Sequence, residues 1–152
     1  MRILSLGAIR PGAARTTHPL TGNRWWYVEA SDKQSVELLF TENDTNYLRL
    51  DKVPNRTQYV KDGINDCVVD GKRACVNSQR GSKLAGHAHA VVPAGGRLSI
   101  NVRFAPTAQS DPFAGFDATF AGRIAEADAF YAAVNPPRLT ADETNVVRQA
   151  FA

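Results

Sequence analysis

The strongest constraint on the fold of this chain is a change of hydrophobic period. Arg97–Phe104 (RLSINVRF) alternates strictly, with Leu98, Ile100, Val102 and Phe104 on one face and Arg97, Ser99, Asn101 and Arg103 on the other. That is the pattern of an antiparallel strand with one buried face. From Asp111 the apolar residues Phe113, Phe116, Phe120, Ile124, Ala127 and Tyr131 step by three or four instead. They form one stripe on a helix of about five turns. Asp111 suits its N-cap and Pro112 its first position. Asn135-Pro136-Pro137 stops it. Thr140-Ala141-Asp142-Glu143 reads as a capping box opening a second helix, with Val146, Val147, Ala150 and Phe151 on its apolar face.

Strands that give way to helices predict either an α+β fold or a β domain leading into a separate helical one. The second helix stops at Ala152 in mid-pattern, which favours the latter and suggests a longer protein cut there. The expected class is mainly β with C-terminal α: a partial antiparallel β-sandwich over residues 1–106, then linker helices over 107–152.

Upstream, Arg24–Ala30 (RWWYVEA) is strand-like, with Trp26 and Val28 on one face and Trp25, Tyr27 and Glu29 on the other. A turn at Ser31–Gln34 and a strand at Ser35–Phe40 would complete a hairpin. Lys83–Val92 (KLAGHAHAVV) also alternates, and Pro93–Gly96 makes a turn. His87 and His89 share a face of that strand; two histidines without a third ligand favour hydrogen-bonded or solvent-facing roles over a metal site. Residues 1–23 are rich in Gly, Pro, Arg and Thr and read as an irregular lead-in, with one short strand at Ile3–Leu6.

Between the strand-like segments lies a polar stretch, Thr41–Asp66 (TENDTNYLRLDKVPNRTQYVKDGIND). A segment this long is a functional loop or a disordered one. Tyr47, Leu48, Leu50, Val53, Tyr59, Val60 and Ile64 are anchors that favour an ordered loop packed on a scaffold. Carboxylates within it can in principle serve glycoside hydrolysis, but linear spacing does not fix the separation that chemistry needs. The bland reading is turn structure, with Asn43, Asn46 and Asn55 bonding nearby backbone.

Cys67 and Cys75 flank Asp70-Gly71, a strong hairpin signal that would set Cys67 opposite Ala74. Two free thiols in a reducing compartment are expected. The net charge of +3 comes from dispersed basic residues with no aromatic interleaving, so no nucleic-acid partner is called for. The run Ile3–Ile9 is broken by Ser5 and Gly7, too weak for a secretory signal, and no stretch is long enough to span a membrane. A cytoplasmic protein is expected. Phosphate-loop, dinucleotide, nucleophile-elbow and zinc motifs are lacking, so no cofactor or metal is expected.

Five motifs in order carry a resemblance. They are FTENDTN (Phe40–Asn46), VPNRTQYVKDGIND (Val53–Asp66), VVDG (Val68–Gly71), VPAGG (Val92–Gly96) and DPFAGFDATFAGRIAEADAFY (Asp111–Tyr131). Together they resemble a segment of bacterial glycoside hydrolases related to family 63, which includes processing α-glucosidases and mannosylglycerate-hydrolase-like enzymes. The resemblance covers residues 35–152. It implies a β-sandwich joined through helices to an (α/α)6 barrel that carries the catalytic carboxylates of an inverting mechanism. The barrel segment has no counterpart here, so the chain alone is expected to be inactive on α-linked glucosyl or mannosyl substrates. Glu42, Asn43, Asp44, Asn46, Asn55, Lys61 and Asp62 become candidates for a substrate-proximal or domain-interface role. The alternative is a stand-alone glycan-binding β module that uses Trp25, Trp26, Tyr27 and the polar loop.

Overall fold

The computed structural model describes residues 4–31 and 34–151. Ile3, the middle of the expected Ser31–Gln34 turn and Ala152 lie outside them. The chain forms two compact units, residues 1–112 and 113–152.

The first unit is built on a five-stranded antiparallel sheet. Its strands are β1 (Ser5–Arg10), β2 (Ala13–His18), β3 (Gly22–Ala30), β5 (Arg80–Gly81) and β7 (Ile100–Ala105), in the order β5-β1-β2-β3-β7. A two-stranded antiparallel sheet pairs β4 (Glu37–Thr41) with β6 (Lys83–His87). Leu6, Ala14 and Val28 of the larger sheet share one buried cluster with Leu38 and Phe40 of the smaller. Leu39, on the opposite face of β4 by alternation, is also buried, at 1% exposed. Helix α2 (Gly63–Asp70) packs against β4, and its Cys67 is buried. A Cβ at Gly81 would collide with the Thr41 carbonyl, so only glycine allows β5 to approach β4 this closely.

Several expectations are corrected. Residues 4–23 are not irregular. They supply β1 and β2, which meet at Pro11-Gly12, and β2 turns into β3 over Pro19–Thr21, just before Gly22. Glycine and proline there mark tight turns between short strands. The strand after Ala30 does not form a hairpin with β3. β3 pairs with β2 and β7, and β4 crosses to the smaller sheet. β6 ends at His87, leaving His89 exposed beyond it.

The strict alternation of Arg97–Phe104 correctly separates two faces, but strand β7 begins at Ile100 and its apolar face is not buried. Ile100, Val102 and Phe104 are 48%, 48% and 60% exposed. They pair with Ala30, Val28 and Trp26 at the sheet edge. Alternation says which residues share a face; it does not say that a layer covers them.

The Cys67–Cys75 segment is not a hairpin. It is the end of α2 and a short 3-10 turn at Arg73–Cys75. Gly71 has φ 69° and caps α2, its N–H donating to the Asp66 carbonyl. A hairpin turn and a helix C-cap both ask for a glycine at positive φ, so Asp70-Gly71 does not discriminate between them. Both cysteines are free thiols.

In the second unit, α3 runs from Phe116 to Val134 and α4 from Ala141 to Phe151. Helix α3 starts four residues later than expected, with a left-handed Gly115 at its N-cap in place of Asp111. It stops before Asn135 as the two prolines require. The capping box forms: Glu143 N–H donates to Thr140 Oγ1 (3.3 Å), and Thr140 N–H donates to Glu143 Oε2 (2.8 Å). That backbone N–H holds the Glu143 carboxyl below its ordinary range. Arg148 pairs with Asp128 and lies 5.0 Å over the Tyr131 ring, joining α4 to α3.

Phe40 is completely buried at the meeting of the two sheets. Phe40→Ala is expected to cost about 3–5 kcal/mol, the usual range for emptying a packed aromatic site. Denaturant unfolding followed by circular dichroism measures it; a loss below about 1 kcal/mol contradicts this packing.

Candidate functional site

The polar stretch after β4 is ordered by its own side chains. A short helix, α1 (Tyr47–Asp51), is capped by Asn46, whose Oδ1 accepts from Arg49 N–H at 3.1 Å. The same oxygen accepts from Asn55 Nδ2 at 2.9 Å. Asn46 Nδ2 donates to both Asp62 oxygens, at 3.2 and 3.1 Å. Asn55 Oδ1 accepts from Leu48 N–H at 3.0 Å, and Arg49 reaches Asp62 at 3.4 Å. Asn46 therefore joins the start of α1, the Asn55 turn and the residue preceding α2.

A second set of bonds ties the stretch to the sheets. Ser82 Oγ donates to Glu42 Oε2 (2.6 Å) and accepts from Asn43 N–H (2.8 Å). Glu42 N–H donates to the Tyr59 carbonyl, and Lys61 N–H to that of Asp44. Lys61 Nζ donates to Thr45 Oγ1 at 3.3 Å, and Lys83 Nζ to the Lys61 carbonyl at 2.8 Å. Val60 is buried beneath this network, and Tyr59 and Ile64 are half-buried. Tyr47, Leu48, Leu50 and Val53, expected as anchors, are exposed instead. Polar bonds hold that half of the loop where apolar burial was expected.

All seven residues singled out from the sequence thus fall in one hydrogen-bonded segment, in three groups. Asn46, Asn55 and Asp62 form one network, and Glu42 and Asn43 meet at Ser82. Asp44 and Lys61 are joined through the backbone. Glu42 and Asp62 each accept donors that fix loop geometry, which is a positioning arrangement. Ser82, Lys83 and Arg49 complete it, and no sequence signal marked them, because their partners lie 13 to 40 residues away.

The aromatic triplet divides among three environments. Trp26 packs against the shared core. Tyr27 is buried, and its hydroxyl accepts from Gln109 N–H at 2.7 Å. Trp25 is half-buried on the outer face of the five-stranded sheet, beside a depression of about 390 Å3 lined by Ser5, Gly7, Ile9, Arg15 and Thr17. Residues 1–23 contribute all but the tryptophan. His87 Nδ1 lies 3.9 Å from Glu37 Oε2, which is itself held by Arg73 at 2.6 Å. Among the described residues, no three of His, Cys, Asp and Glu are grouped to hold a metal ion. No helix among them is long and apolar enough to cross a membrane.

Comparison with known proteins finds a similarity to an uncharacterized protein of Saccharomyces cerevisiae, YMR196W. The two are 30% identical over 140 aligned residues, 81% of this chain. The chain spans 13% of the length of that relative. No family model matches the chain, and no solved structure matches it.

Asn46→Ala removes a helix cap and leaves Asn55 and Asp62 short of partners. It is expected to destabilise the first unit by about 1–3 kcal/mol. Denaturant titration checks this, and a change within about 0.5 kcal/mol shows that the network does not hold the loop.

Proposed function

We propose that this chain is the non-catalytic, β-rich portion of a glycoside hydrolase related to family 63, acting on α-linked glucosyl or mannosyl oligosaccharides or glycosides. In this reading the two sheets are part of a β-sandwich, and α3 and α4 lead toward an (α/α)6 barrel that holds the catalytic carboxylates. The ordered motifs over residues 35–152 support it, as does a β-rich unit followed by a separate helical one. The similarity to a much longer yeast protein agrees with a part of a larger protein. The observation that carries the non-catalytic assignment is the engagement of Glu42 and Asp62 in hydrogen bonds that shape the loop. A general acid and base need carboxylates aimed at a substrate, with a stated separation across the scissile bond. These two are aimed at Ser82, Asn46 and Arg49. The loop's role is to position the β unit against the barrel or to line the rim of its pocket. Two free thiols support a cytoplasmic setting.

A second reading, a glycan-binding module, is favoured by one observation. Trp25 and Trp26 are both half-buried, on opposite faces of the sheet, and each lines a surface depression.

Incubation of the 152-residue chain with α-glucosyl and α-mannosyl oligosaccharides is expected to release no sugar. Hydrolysis abolished by Glu42→Gln or Asp62→Asn would place the chemistry in the loop and overturn the proposal.

A further inference from the structure

We propose that the outer face of the five-stranded sheet, around Trp25, Arg15 and Gly7, binds an anionic saccharide, one bearing carboxylate or sulfate groups. The saccharide half of this inference rests on the reading that the chain serves a carbohydrate-active protein; the anionic half rests on the side chains alone. Strand pairing sets Arg80, Gly7, Arg15 and Trp25 in one row across β5, β1, β2 and β3. At the usual strand spacing the two arginine Cα atoms are about 10 Å apart, with the glycine between them. Neither arginine forms an ion pair within 4 Å among the described residues, and both are exposed. An unpaired guanidinium beside an aromatic ring suits a carboxylate or sulfate carried on a ring that stacks.

Gly7 lines the depression beside Arg15 and Trp25. Its backbone is not in the left-handed region, and a Cβ there would meet nothing nearer than the Gln79 carbonyl at 4.0 Å. Neither turn geometry nor packing requires glycine at this strand position. A glycine inside a strand marks either a bulge or a surface left open to a close approach, and β1 shifts register just beyond it, between Ala8 and Arg10. Its missing side chain opens the floor of the depression between Arg15 and Ser5. Thr17 and Asn23, bonded to each other at 2.9 Å, add polar groups at the rim suited to sugar hydroxyls.

The platform is one ring wide. Tyr27, next on the same face, is buried with its hydroxyl held by Gln109, and Arg103 beside it donates to the Pro112 carbonyl. A single ring with two cations fits one or two charged sugar residues. A nucleic-acid strand would instead need a longer track of cations and stacking rings.

The test is tryptophan-fluorescence titration of the whole chain with four probes: oligogalacturonate, heparin-derived oligosaccharide, maltoheptaose and oligothymidylate. Saturable binding of one or both acidic oligosaccharides, at least about tenfold tighter than maltoheptaose and weakened by added salt, is expected. The stronger of the two identifies carboxylate or sulfate as the recognised group. Gly7→Val should fill the depression and Arg15→Gln should remove the anion contact, each weakening binding about tenfold with an unchanged circular dichroism spectrum. Absence of saturation with both acidic sugars overturns the proposal. So does equal affinity for maltoheptaose, tighter binding of oligothymidylate, or binding indifferent to Gly7→Val in a folded variant. Hydrolysis by the chain, which would defeat the non-catalytic reading, is read from the 41–66 loop and leaves this titration unaffected.

Discussion

Burial of β4 on both faces is the constraint on which the first unit depends. Leu38 and Phe40 enter the cluster formed with Leu6, Ala14 and Val28, while Leu39 and Thr41 are buried on the opposite side. A strand covered on both sides gains from two cores at once, and its displacement would expose both. β4 also has hydrogen-bond partners on both edges. β6 pairs along one side, and Phe40 exchanges N–H···O bonds with Asn77. The polar stretch begins where this strand ends, so its position is set before any of its own bonds form. Glu42 and Asn43 then meet Ser82, which follows the close glycine contact of β5 with Thr41.

Much of the fold could be read from local chemistry. RWWYVEA is in β3, SVELLF overlaps β4, the proline pair ends α3 and the capping box opens α4. What could not be read was pairing. β3 and β4 are adjacent in sequence and belong to different sheets, and β7 reaches back past β4 and β6 to join β3. Such pairing is a property of the whole chain and not of local sequence. Two local errors have local causes. Asp70-Gly71 serves a helix end as well as a hairpin, because left-handed glycine satisfies either. GINDCVVD is rich in β-formers, yet it is helical because Gly63 and Cys67, four apart, share the buried side of α2.

The candidate site was legible as a place and illegible as a mechanism. The apolar anchors marked residues 41–66 as an ordered loop, and the Asn residues read as turns whose side chains bond nearby backbone. The second cause is the one that holds the Tyr47–Val53 half. Asn46 does so at Arg49, and Asn55 at Leu48. That Asp62 would close the same network from sixteen residues away, or that Ser82 would hold Glu42, required the tertiary structure. The outer sheet face around Trp25 was hidden for a related reason. Its partners Gly7 and Arg15 sit in a segment whose glycines and prolines obscured two strands.

The 41–66 segment is a structural scaffold built onto β4. Native-state hydrogen exchange tests it most directly at the amides of Glu42, Leu48, Arg49 and Lys61, each bonded within the loop. These amides are expected to be protected and to open together, in the same cooperative unit as the Phe40 amide of β4. Exchange of all four at the rate of an unstructured peptide, with Phe40 still protected, would contradict it.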